Sequence, residues 1–267
     1  MVLEDFSLER KAIINPGDFN SEIPGIPKVA ISCYSFVTFE RMLDRFDSYE
    51  QIRELMIANT TIPIYLAKRN GMEYVLFNCD VGAPMAVGCA EDIYQLGVDT
   101  IIIFGTCGVL DSDIDDCAII IPDKAVRDEG TSWHYAPPAD EIEVNVTCKN
   151  DSLAVQSIKN TFIALLEEMR IPYTKGKTWT TDAIYREIYD KMEKRKTAGC
   201  ICVDMECSAL AAAAQFRGKN MFTFFYAADN LDTDEWDSRS LSNFDKVEEK
   251  DVIAELSIKL ADRIIAK

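Results

Sequence analysis

Apolar positions along this chain follow two rhythms. Short, nearly unbroken apolar runs alternate with longer stretches in which apolar residues recur every three or four positions. KVAISC (28–33), CAIIIP (117–122) and MFTFFYAAD (221–229) are runs of the first kind and predict strands. TIIIFG (100–105), bounded by turn signals, predicts a strand covered on both faces. PIYLAKRNGMEYVLFNC (63–79) reads as two strands around Arg69-Asn70-Gly71, because Asn-Gly suits a tight hairpin. EIEVNVTC (141–148) predicts a further strand, and KGKTWTTD (175–182) ends another. CICVDM (200–205) is a strand running into an Ala-rich helix that stops near Gly218. Helical spacing begins at Phe36, with Phe39, Met42, Leu43 and Phe46 on one face. It recurs over Pro84–Leu96, Ser152–Met169, Tyr185–Lys196 and Val252–Ala266, the last with Leu256, Leu260 and Ile264 in register.

No linker, repeat or composition shift divides the chain. The expected architecture is α/β, a single domain with a mixed central sheet flanked by helices over 28–267, preceded by an N-terminal extension over 1–27. Strand-then-loop junctions are where such sheets gather their sites. The candidate loops are 80–84, 105–110, 179–186, 204–207 and 227–239.

Charge narrows the partners. With 28 basic and 45 acidic residues the formal charge is −17, which argues against nucleic acid and against an anionic membrane surface. A small anionic substrate is still compatible with one local site of opposite sign. The nine cysteines are odd in number and sit mostly in apolar runs. There is no CxxC pair and a single histidine, so neither a disulfide framework nor a metal site is expected. A reduced, cytoplasmic protein is the expectation. The first residues lack a signal-peptide pattern, and no window approaches the roughly 18 apolar residues of a membrane span.

Several junctions carry candidate chemistry. Gly105-Thr106-Cys107-Gly108 follows TIIIF; two glycines and a hydroxyl suit an anion nest, although a plain tight turn would use the same residues. Asp204-Met205-Glu206 sits where a strand becomes a helix. There a carboxylate serves the helix dipole or accepts both hydroxyls of a vicinal diol. Asp229 ends an apolar strand, so it is either a desolvated proton donor or a cap for the next segment. His134 lies in DEGTSWHY, but no GxSxG elbow accompanies it. DSDIDD (111–116) and DTDEWD (232–237) lack calcium-loop spacing and read as solvated loops.

In this order, DVGAP (80–84), FGTCGVLDSDI (104–114), AVRDEGTSWHY (125–135), TWTTDAIYRE (178–187), VDMECSALAAAA (203–214) and YAADN (226–230) resemble the nucleoside phosphorylase superfamily of the purine and uridine phosphorylase kind. The resemblance spans about residues 72 to 265, and VDMECSAL is its most specific segment. It implies a distorted mixed sheet, a homo-oligomer (dimer, trimer or hexamer), a nucleoside substrate, inorganic phosphate as co-substrate and no cofactor. Carried over, Glu206 matches the carboxylate on the ribose hydroxyls and Met205 the residue packed on the sugar. Thr106 matches the phosphate-contacting hydroxyl, with Gly105 beside it. Ile184 and Tyr185 fall where the base pocket is lined, and Asp229 matches the acid at purine N7, which favours purines. The chain departs from the family at the phosphate. Where Gly-Asp-x-x-Arg is usual it has Cys33-Tyr34-Ser35-Phe36-Val37, and Ile103 stands where an arginine is usual. Pro16-Gly17-Asp18 precedes the first strand. Arg127, Arg239, Lys68 and Arg69 are the candidate substitutes. Three readings result: a phosphorylase with a rebuilt phosphate site, a hydrolytic nucleosidase, and a nucleoside-binding protein without catalysis.

Overall fold

The computed structural model describes residues 5–146 and 154–266. Its strands are β1 (Val29–Cys33), β2 (Ser48–Met56), β3 (Thr61–Arg69), β4 (Met72–Asn78), β5 (Thr100–Val109), β6 (Ile119–Asp128), β7 (Glu141–Glu143), β8 (Tyr173–Thr181), β9 (Cys200–Asp204) and β10 (Asn220–Asn230). Its helices are α1 (Phe36–Leu43), α2 (Ala83–Leu96), α3 (Ala154–Met169), α4 (Tyr189–Thr197), α5 (Cys207–Arg217) and α6 (Val247–Ile265).

The strands form one ten-stranded mixed sheet in the order β10-β6-β8-β9-β5-β1-β4-β3-β2, with β7 on the side of β6. β10 also pairs β5 in parallel, so β5, β10, β6, β8 and β9 close on themselves. β5 makes this possible by its length. Its first half lies between β1 and β10, while Gly108 and Val109 turn to β9. Helices cover both faces. Phe222, Phe224 and Phe104 pack with Phe162 of α3 and with α6 on one face, and α2 and α5 cover Ile101 and Ile103 on the other.

The expected α/β architecture is what the chain adopts. Asn70 and Gly71 both take positive φ, as a tight β3–β4 hairpin turn requires. Gly218 ends α5 in the left-handed conformation. Three expectations need correction, and one strand was not expected at all. β2 is an edge strand exposed over most of its length, so no apolar alternation marked it. The strand expected over 141–148 covers only 141–143; its last two residues lie outside the described part, as do the first two expected for α3. Residues 184–186 form a short 3-10 turn, and α4 starts at Tyr189. Gly105–Gly108 is not a turn: β5 runs through it and its backbone joins the ladder with β10. An anion nest therefore does not form there. These glycines instead admit neighbours, since a Cβ on Gly105 would lie 2.6 Å from the Tyr34 ring.

The segment before β1 is tied to α2 through Ile23 N–H to the Leu96 carbonyl (2.9 Å) and Asn20 to Asp92 (3.0 Å), and to the end of α5 through Arg217, which donates to the Arg10 carbonyl at 3.1 Å. Pro16-Gly17-Asp18 is a 3-10 turn in this segment and lines none of the cavities at the carboxyl ends of the central strands. The described cysteines are all free; Cys148 lies outside the described residues. Among the described residues no helix is long and apolar enough to cross a membrane.

Candidate active site

Three adjoining chambers open at the carboxyl ends of β1, β5, β9 and β10, as expected for an α/β sheet. The middle one, about 120 Å³, is lined by Thr106, Met205, Glu206 and Asp229. Tyr34, Val81, Thr106 and Leu241 are shared with an inner chamber of about 190 Å³. Ile184, Glu187, Asp229 and Leu241 are shared with an outer chamber of about 580 Å³, which adds Tyr185, Tyr189, Met192, Leu231 and Trp236.

Glu206 is aimed by its neighbour Asp204. The Asp204 Oδ2 accepts the N–H of Glu206 (2.8 Å) and of Cys207 (2.6 Å), capping α5. Its Oδ1 accepts the hydroxyls of Thr178 (2.8 Å) and Thr180 (2.9 Å) from β8. Asp204 thus takes the helix-terminus role, and Glu206 is left to face the middle chamber. Gly82 N–H donates to Glu206 Oε1 at 2.6 Å. Glu206 is 6% exposed, and burial, reinforced by the Asp204 charge, pushes its carboxyl up to about 8.

Asp229 is turned by a bulge. β10 slips against β5 between Ala227 and Asp229, which re-aims the side chain beyond the slip. Burial raises the Asp229 carboxyl, partly opposed by Trp236, whose indole N–H donates to Oδ2 at 2.9 Å. That bond corrects the reading of 232–237 as a merely solvated loop. Glu187, on the same boundary, is pushed up to about 7 by burial and then by the Asp229 and Asp204 charges.

The expected site residues divide into two groups. Glu206, Met205, Gly105, Thr106, Ile184, Tyr185 and Asp229 all line the chambers. Arg127, His134 and Arg239 do not. The Arg127 guanidinium donates to the Pro137 carbonyl (2.7 Å), the Ala139 carbonyl (3.1 Å) and Ser132 Oγ (2.8 Å), and it stacks on Trp133. Arg239 donates to the Ile114 carbonyl at 2.8 Å. His134 is exposed on the 3-10 turn at 132–134. Arg69 pairs with Glu255 and Lys68 with Glu73, both away from the chambers. The 125–135 loop braces α5 instead: Glu129 accepts Ser208 Oγ at 2.7 Å and Ser132 N–H at 2.8 Å.

Reading the sequence missed Tyr34, Val81, Glu187, Trp236, Leu241, Asn243 and Lys250. Tyr34, Val81, Glu187 and Trp236 stood in segments already marked, though none was singled out as lining a site; Leu241, Asn243 and Lys250 carried no local pattern. Among the described residues no group of His, Cys, Asp or Glu could hold a metal ion.

Known proteins bear on this geometry. A sequence model of the Phosphorylase superfamily matches residues 28–266. Guanosine phosphorylase of Halorubrum lacusprofundi is 24% identical over 66% of this chain and 69% of its own. The crystal structure of uridine phosphorylase from Vibrio fischeri superposes with a TM-score of 0.72 at 18% identity, covering 92% of this chain and 98% of that one. A futalosine hydrolase mutant of Helicobacter pylori superposes at 0.67 with 14% identity, covering 89% and 98%. With nearly its whole length matched, the chain belongs to the Phosphorylase superfamily.

Proposed function

We infer that the protein cleaves the N-glycosidic bond of purine ribonucleosides by phosphorolysis, giving the free base and ribose 1-phosphate. The observation that carries this reading is the order of the three chambers, with Glu206 in the middle, Thr106 toward the inner one and Asp229 toward the outer one. Glu206 accepts the 2′- and 3′-hydroxyls, and Met205 packs on the sugar. The base lies among Ile184, Tyr185 and Trp236, with its N7 toward Asp229.

A purine anion is a poor leaving group, so a proton delivered as the bond breaks lowers the barrier. Burial raises the Asp229 carboxyl, which shifts it toward the protonated form that a donor needs. Positive charge develops on the sugar ring, as in other glycoside cleavage. Holding the diol at Glu206 fixes C1′ while phosphate attacks from the face opposite the base. No cofactor enters this scheme. We place the enzyme in the cytoplasm as a homo-oligomer.

Hydrolysis is the second reading, favoured by the lack of any arginine around the chambers among the described residues and by the fold shared with a hydrolase. Base release from inosine, guanosine, adenosine and uridine, with and without phosphate, separates the two. Phosphate-dependent release with ribose 1-phosphate is expected, purines ahead of uridine. Equal release without phosphate, giving free ribose, establishes hydrolysis. No release from any of them overturns both readings and leaves binding without catalysis.

A further inference from the structure

Phosphorolysis requires an anion to be held in the inner chamber. Burying phosphate without a paired cation or several donors is costly. Arg127, Arg239 and Arg69, the arginines that the sequence offered, are engaged elsewhere. Lys250, from the first turn of α6, is the one lysine or arginine among the described residues that lines any of the three chambers. It is 3% exposed. Its Nζ donates to the carbonyls of Ser240 (2.8 Å) and Ser242 (2.5 Å), and it pairs with no carboxylate among the described residues. An ammonium has three N–H bonds, so one remains beyond those two.

Other donors face the same chamber. The Thr106 hydroxyl makes no hydrogen bond among the described residues. Asn243 accepts the Ser35 hydroxyl through Oδ1 at 2.8 Å, which leaves its amide N–H groups without a protein partner there.

We propose that Lys250 is the phosphate-binding cation of this protein, holding the anion in the inner chamber with Thr106 and Asn243. The proposal rests on the phosphorolytic reading. Burial lowers the pKa of the ammonium in the empty chamber, and a bound anion offsets that penalty. Lys250 also holds the carbonyls on either side of Leu241, which lines all three chambers. In the reaction a phosphate oxygen bonds to C1′ as the C1′–N bond breaks. The bonding pair leaves with the base, which takes the proton held at Asp229. Lys250 keeps its own proton and offsets the phosphate charge.

The test compares wild type, Lys250→Met and Lys250→Arg. It reads KM for phosphate, KM for nucleoside, calorimetric binding of inorganic phosphate, and base release without phosphate. Lys250→Met is expected to raise KM for phosphate at least about tenfold, equivalent to about 1.4 kcal/mol. KM for nucleoside should stay within about twofold, and Lys250→Arg should recover part of the loss. A folded Lys250→Met protein with wild-type phosphate KM overturns the assignment while the phosphorylase reading stands. Base release that ignores phosphate, with phosphate still bound by wild type and lost in Lys250→Met, overturns the reaction and keeps the anion site. If Lys250→Met does not fold, Asn243→Asp puts a negative charge on the same chamber from a half-buried position. It should then raise phosphate KM by a similar factor, and an unchanged value overturns the proposal.

Discussion

In the role proposed for it, Glu206 accepts two hydroxyls best when ionised, yet its surroundings favour the protonated acid. Burial and Asp204 lift its carboxyl to about 8, against an ordinary value of 4.5. A carboxyl raised in the folded state binds protons that the unfolded chain has released. Its stabilising contribution is therefore full below about 4.5 and is lost as pH rises through about 8. Glu206→Gln removes that dependence. By thermal melting, the unliganded variant should gain on wild type between these limits, by up to a few kcal/mol at pH 8, with no gain near pH 4.5. A constant difference across pH would show that Glu206 does not titrate in this range. The same variant should bind nucleoside much more weakly, because an amide supplies one acceptor oxygen in place of two. At the base, Asp229→Asn should cut kcat by about 100-fold or more while nucleoside KM changes little, as expected for removal of a general acid. The neighbouring Glu187 holds its proton below about 7. If it shares the proton of Asp229, kcat declines as pH rises through that value, and Glu187→Gln displaces the limb. A limb unchanged in Glu187→Gln would assign it to another group.

At the scale of elements, the site depends on how β5, β9 and β10 end. Asp204 ties the β9–α5 junction to β8 by accepting four hydrogen bonds. Asp204→Ala strands those buried donors and should cost at least about 2 kcal/mol in denaturant unfolding, with a raised nucleoside KM because Glu206 loses its aim. An unchanged KM in the folded variant would mean that α5 alone positions Glu206. Gly108 shows the same dependence from β5: a Cβ there would lie 2.5 Å from Leu231, 3.1 Å from Val203 and 3.2 Å from Asp229 Oδ1. Gly108→Ala should destabilise by about 1–3 kcal/mol and lower kcat more than it raises KM.

These junctions also explain what the sequence could convey. Buried strands such as β5 and β10 announce themselves because both faces are apolar. The acids that break those runs, Asp204, Glu206 and Asp229, were legible for the same reason. β2 was not, since an exposed edge strand has no apolar face to reveal it. Trp236 and Lys250 come from segments whose local pattern is polar, and only tertiary packing brings them to the chambers. The Gly105–Gly108 stretch lines the chambers, but as a strand and not as the turn expected. Glycine in a strand reports close approach of a neighbour, which neighbouring residues in sequence cannot disclose.

Across the whole molecule, a formal charge of −17 surrounds a site that we read as taking an anion. The surface repels phosphate at long range, and Lys250 attracts it at contact. Salt separates the two, because screening shortens from about 30 Å at 0.01 M to about 8 Å at 0.15 M while a buried contact is screened much less. Raising KCl over that range should therefore increase kcat/KM for phosphate, opposite to the usual weakening of a surface ion pair. The neutral nucleoside serves as the internal control, and its KM should barely move. A kcat/KM for phosphate that falls with salt would mean that a local basic field, and not the net charge, governs entry. In Lys250→Met the salt response should persist at a lower overall rate, since the long-range repulsion does not depend on that residue.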